Sequence, residues 1–112
     1  MRVTDFRCLA LSLPEVVEGS HFGNVDFRVG GKIFATLSQA KQGFGVLLLT
    51  PKQQAGMAED EPEIFSPVAN AWGRQGATRV CLAKVSRDIL KAALQTAWGR
   101  RAPKRLLSQP PK

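Results

Sequence analysis

Three places in this chain group residues that can do chemistry. The densest is the carboxyl-terminal stretch, where Trp98 is followed by Arg100, Arg101, Lys104 and Arg105. Cations packed this closely hold phosphate oxygens, lysine as a point charge and arginine through a planar fork of donors. They also sit favourably at the negative end of a helix dipole, whatever else they do. Trp98 itself continues an apolar stripe and reads as core. The second place is Trp72-Gly73-Arg74-Gln75-Gly76, with Arg79 just beyond. An aromatic beside arginines can stack a single-stranded base or close over an acidic ligand. The plainer reading is a tryptophan that anchors a loop to the core. The third is Gly30-Gly31 with Arg28 and Lys32 on either side. It lacks the GxxxxGK[ST] spacing of a phosphate loop and opens no helix. It reads instead as a hairpin tip whose two cations can touch phosphates.

Other reactive types lead to quieter readings. His21 is the only histidine. Imidazole titrates near neutrality and can act as base or ligand, but no nucleophile stands in register with it, so it reads as a structural histidine at a strand start. Glu59, Asp60, Glu61 and Glu63 form an acidic run. The run lacks the ligand spacing and turn glycine of a calcium loop, and reads as a solvated loop or an internal partner for the basic surface. Cys8 and Cys81 are far apart and not in CxxC form. Two thiols and one histidine make no zinc site. Both cysteines lie in apolar stretches and read as small buried hydrophobes, which fits a reducing cytoplasm. No nucleophile–base pair or paired-carboxylate spacing stands out. The expectation is a non-enzymatic protein with no metal and no cofactor.

Charge narrows the partners. Among 112 residues, 16 are Lys or Arg and 9 are Asp or Glu, for a formal net charge of +7. A field of that sign and size draws polyanions. No apolar run approaches a membrane span, and Asp5 and Arg7 interrupt any signal-peptide core. A cytoplasmic monomer that does not touch membranes is the expectation.

The elements that must position these groups follow from pattern. Thr4 can cap a helix over Thr4 to Leu13, with Phe6, Leu9 and Leu13 on one face and Pro14 closing it. Glu15 to Gly19 reads as a connection. Asn24 to Leu37 reads as a hairpin on Gly30-Gly31, since both central residues of a type I′ turn need positive φ. A two-residue turn places Phe27 opposite Phe34 and Val25 opposite Thr36. Val25, Phe27, Val29 and Phe34 then face the core, and Asp26, Arg28, Ile33, Ala35 and Leu37 face away. Val46 to Leu49 shows no alternation, as expected of a central strand covered on both sides. Thr50-Pro51-Lys52-Gln53 is a capped helix start, with Gly56 weakening that helix. Ala77 to Ala83 alternates as a further strand. Ser86 caps a last helix with Ile89, Leu90, Ala93, Leu94, Ala97 and Trp98 along one stripe. The sum is an α+β fold with a curved antiparallel sheet of about four to five strands and helices packed on one face. The whole chain, 1–112, makes a single domain ending in a basic, frayed tail from about 104.

The stretches LSLPEVVEGSHFG, VDFRVGGKIFATL, GVLLLTP, PEIFSPV, AWGRQGATRVCLAKV and LQTAWGRRAPKRL, in this order and spacing, resemble the MmcQ/YjbR group of small bacterial proteins. The resemblance covers nearly the whole chain. It implies a compact α+β domain with a curved antiparallel sheet, compared with a double-wing DNA-binding motif and with frataxin-like proteins. It implies DNA binding as a function and supplies no catalytic residues. Frataxin-like iron binding would need an acidic ridge on the first helix, and that helix has only Asp5. Weak, largely sequence-independent DNA binding is therefore expected, through Arg28, Lys32, Arg74, Arg79, Arg100, Arg101, Lys104 and Arg105. The alternative is a module for a protein or a small anion, with His21, Arg28, Trp72 and Arg79 around the ligand.

Overall fold

The first helix begins one residue before its expected cap. In the computed structural model, which describes residues 1–107, α1 spans Val3–Leu11. Asp5, in its first turn, accepts a hydrogen bond from the Arg2 backbone N–H at 2.7 Å. That bond satisfies one donor at the positive helix end. Phe6 and Leu9 on its inner face, with Leu13 just beyond, are buried as their spacing predicts.

Six strands follow in an entirely antiparallel sheet: β1 (Val17–His21), β2 (Asn24–Val29), β3 (Lys32–Thr36), β4 (Phe44–Leu48), β5 (Phe65–Pro67) and β6 (Ala77–Cys81). Their spatial order is β1-β2-β3-β4-β6-β5. Two are additions to the expected count. Val-Glu-Gly-Ser-His of β1 is mostly exposed, so it has no apolar alternation to betray it. β5 is three residues long and includes a proline, tolerable because it is an edge strand.

The β2–β3 hairpin departs from its expected register. Next to the turn, Val29 faces Lys32 and Arg28 faces Ile33, as a two-residue turn requires. The register then shifts, so that Phe27 faces Ala35 and Asp26 faces Thr36, and Phe34 is left without a partner. An extra residue of this kind is a β-bulge, and it reverses facing for everything beyond it. Phe34, Ala35 and Leu37 consequently all join the main core with Phe27 and Val29. Asp26, on the outer face, is almost fully buried.

Strand β4 is central and covered on both sides. Leu47 and Leu49 belong to the main core, while Val46 packs in a smaller cluster with Val68 and Ala77. Gly45 has no side chain for a specific reason: a Cβ there would stand 2.3 Å from the Phe6 ring. That contact lets α1 lie close on the strand.

Helix α2 (Pro51–Asp60) has the reciprocal cap expected of Thr50 and Gln53, with bonds of 3.1 and 3.0 Å. It continues through Gly56 to Asp60, because the helix is anchored from inside. Gln54, buried there, donates from Nε2 to the carbonyls of Gly73 and Ala77, each at 2.9 Å. Those two bonds tie α2 to the short helix α3 (Ala71–Arg74) and to β6. Helix α4 (Arg87–Arg101) is capped by Ser86 and buries Leu90, Ala93, Leu94 and Ala97 against β3, β4 and α1. The expected tail is in part structured: Lys104–Leu107 forms a turn of helix, α5, with Leu106 buried in the main core. The rest of that stretch, 108–112, lies outside the described residues. Cys8 is exposed rather than buried, and Cys81 is half-buried.

Candidate nucleic-acid interface

Antiparallel pairing brings distant segments to the end of the sheet where β4 finishes. β3 begins there, β6 begins there, and α2 leaves from there. α4 starts at the other end and returns, so its last turn arrives at the same place. The hairpin tip is part of this assembly. Gly30 has φ of +60°, and a Cβ on it would lie 3.1 Å from the Pro103 ring, so the turn rides on the α4–α5 link. Arg100 Nη1 donates to the Leu48 carbonyl at 3.3 Å, and Trp98 Nε1 donates to the Pro14 carbonyl at 3.0 Å.

A polar hollow of about 130 Å³ opens at this end, lined by Leu48, Leu49, Trp72, Gln75, Arg100 and Arg101, with Ala77 at its wall. The Asn70 side chain accepts from the Trp72 backbone N–H at 2.9 Å and fixes the start of α3. Trp72 is left 36% exposed, outside both hydrophobic clusters. Neither Arg100 nor Arg101 has a carboxylate partner among the described residues. Arg101 Nε is shut away from solvent with no hydrogen-bond partner among the described residues. Burial, and next the charge of Arg101, push the Arg100 guanidinium below its ordinary value. Two adjacent arginines with no carboxylate partner among the described residues, Arg100 exposed and Arg101 half-buried, form a site whose electrostatics favour an anion.

The surrounding cations extend the site. Lys32 begins β3 beside the turn, and Lys104 begins α5 beyond Pro103; both are exposed. Arg74 ends α3, also exposed. Arg105 is engaged differently: Nη1 and Nη2 reach the two oxygens of Glu15 at 2.6 and 2.5 Å. This pair lowers the Glu15 carboxyl below its usual range, chiefly by hydrogen bonding. The acidic run lies away from this end. α2 carries Glu59 and Asp60 down to the region of Phe65 and Ile89, where Asp60 and Glu61 rim a shallow depression of about 210 Å³. That depression is mostly apolar and its rim has the wrong sign for a polyanion.

The other expected residues do not meet here. Arg28 lies on the outer sheet face, paired with Asp26 through Nε at 2.8 Å and Nη2 at 3.1 Å. That hydrogen bond raises its already high pKa. Arg79 is mid-sheet, opposite Val46, with its guanidinium carbon 4.3 Å from the Phe44 ring centroid and Nε buried without a partner among the described residues. His21 ends β1 at the far hairpin, its ring 4.3 Å from that of Phe22. The alternative set His21, Arg28, Trp72 and Arg79 is therefore spread along the sheet, and of these four Trp72 alone lines the hollow beside Arg100. The sequence associates Trp72 with Arg74 and Arg79, its neighbours along the chain; the structure associates it with Arg100 and Arg101. Gln75 and Leu48 enter the site with no signal in the sequence beyond their neighbours. Among the described residues no three His, Cys, Asp or Glu side chains gather as metal ligands, and no helix is long and apolar enough to cross a membrane.

Helices set on an open antiparallel sheet of six strands, with a basic cluster at one end, define an α+β domain. The YjbR family model matches residues 11–100, and the chain belongs to the YjbR family. Its fold is similar to the crystal structure of the Deinococcus radiodurans protein DR2400, which carries the domain DUF419. The TM-score is 0.70 at 19% sequence identity, over 87% of this chain and 75% of that one. No curated protein matches the chain.

Proposed function

We propose that this protein is a non-catalytic DNA-binding domain that holds the phosphate backbone through the sheet end formed by Lys32, Arg100, Arg101 and Lys104. One observation carries the reading. Lys32 from the β2–β3 turn joins Arg100, Arg101 and Lys104 from the end of α4 and the start of α5, none with an acidic partner among the described residues, while the acidic run is folded away toward the other end. Contacts of this kind position a duplex without reading its sequence. Binding is accordingly weak and nearly indifferent to base order.

The test compares the two ends of the molecule. Lys32→Glu with Lys104→Glu reverses charge at the proposed interface. Lys41→Glu with Lys84→Glu makes the same change in net charge beside the start of β4 and the end of β6, where both lysines are exposed. Fluorescence anisotropy with a labelled duplex measures each. The first pair is expected to weaken binding by at least about tenfold, the second by less than about threefold. Equal losses would mean that only net charge matters and that this end is not the interface. No wild-type binding at low salt would remove the reading altogether.

A further inference from the structure

The hollow beside Trp72 has features that backbone contacts alone do not use. Its volume of about 130 Å³ is well under the roughly 300–1,000 Å³ of a pocket that encloses a small molecule. A single group can enter, with the rest of its molecule left outside. The part that enters meets walls that include Arg100 and Arg101, and among the described residues no carboxylate lines them. The part outside meets the exposed indole of Trp72 at the rim. Leu48, Leu49 and Ala77 close the strand side, which favours a terminal group over a chain running through.

We propose that this hollow seats the terminal phosphate monoester of a nucleic-acid strand, with the terminal base stacked on Trp72. The assignment rests on the reading that the domain binds nucleic acid and makes it specific to strand ends. A phosphate monoester offers three terminal oxygens to the two arginines that line the hollow, and the Arg101 side chain has donor capacity to spare, its Nε having no partner among the described residues. Arg100 is already oriented by its bond to the Leu48 carbonyl, so little is lost in ordering it on binding. Two adjacent guanidiniums repel each other when the hollow is empty, and a dianion relieves that repulsion. Base–aromatic stacking tolerates any base, so the preference is for the end and not for its sequence.

The experiment compares short single strands that are identical except for a 5′-phosphate or a 5′-hydroxyl, by anisotropy. A labelled duplex, inorganic phosphate and deoxyadenosine accompany them. The phosphorylated strand is expected to bind about tenfold tighter or more, the size of one charge-assisted hydrogen bond. It should also shift the Trp72 indole N–H resonance, identified by its loss in Trp72→Phe. Arg101→Lys keeps the charge but loses the planar fork, and should bring the ratio between the two strands close to one. Equal affinity for the two strands, with duplex binding intact, overturns the end site and leaves the backbone reading standing. If inorganic phosphate competes as well as the phosphorylated strand does, the hollow is a free-phosphate site and the proposal fails. If neither strand nor duplex binds, both readings fall together.

Discussion

Salt dependence is the most quantitative consequence of the interface. Each phosphate neutralised by a lysine or arginine on duplex DNA releases condensed counterions. Four cations, Lys32, Arg100, Arg101 and Lys104, give an expected slope of log affinity on log salt of about −3.6. Between about 50 and about 200 mM salt that is a loss of about 150-fold. Lys32→Gln with Lys104→Gln removes two of the four. Neither lysine side chain makes a hydrogen bond or ion pair among the described residues, so the fold has little to lose. The slope should fall to about −1.8 and the loss over the same range to about 12-fold. Anisotropy titrations of wild type and variant at four or five salt concentrations measure both slopes, with circular dichroism confirming the fold. A variant slope still near the wild-type value would show that these lysines touch no phosphate. A wild-type slope shallower than about −1 would leave no room for a four-cation contact.

Three further outcomes test the scaffold that builds the site. Gln54→Ala removes both bonds to the Gly73 and Ala77 carbonyls, and should cost roughly 2–4 kcal/mol in urea unfolding, since those buried acceptors lose their partner. An unchanged midpoint would mean water replaces the amide fully. Gly45→Ala drives a methyl to within 2.3 Å of the Phe6 ring, at a cost of about 1–3 kcal/mol. Phe6→Leu in the same chain should recover part of that loss, and strict additivity would exclude the contact. The Glu15–Arg105 pair has a carboxyl whose folded pKa is lowered. Its contribution is therefore present above the unfolded carboxylate range and is lost as pH falls through the lower, folded value. Acid titration followed at the Leu106 methyls should show α5 loosening there in wild type, and Glu15→Gln should abolish that pH dependence.

The readable parts of the fold share a physical character. Helix starts at Thr50 and Ser86 are short-range hydrogen-bond motifs and appear where spacing puts them. The double coverage of β4 is visible in its unbroken apolar run. What escapes is decided by neighbours across space. β1 has no core face of its own to display and exists because β2 offers it an edge. The bulge at Phe34 is invisible to a strict two-residue alternation, yet it decides that Ala35 and Leu37 go inside. The candidate site shows the same division. Arg100, Arg101 and Lys104 are legible as a cluster because they are adjacent in sequence. Their union with Trp72 depends on the α3–β6 connection and the end of α4 meeting beside Leu48, which no local pattern encodes.

The direction of α4 links these facts to function. The helix is 15 residues long, so about 22 Å separates its ends. Ser86 fixes its start beside the end of β6, and the stripe Leu90, Ala93, Leu94 and Ala97 fixes its seat on the sheet. With both set, Arg100 and Arg101 must arrive at the end where the β2–β3 turn presents Lys32. Arg87, at the amino end of the same helix, is held at the opposite end of the sheet. α2 leaves the basic end in the other sense and carries Glu59 and Asp60 away from it. Two antiparallel excursions from one sheet thus carry Arg100 and Arg101 to one end and the acidic run to the other, where Lys41, Lys84 and Arg87 also lie. That placement needs no special residue at the site: the caps and apolar stripes that stabilise the helices also decide where these two clusters lie.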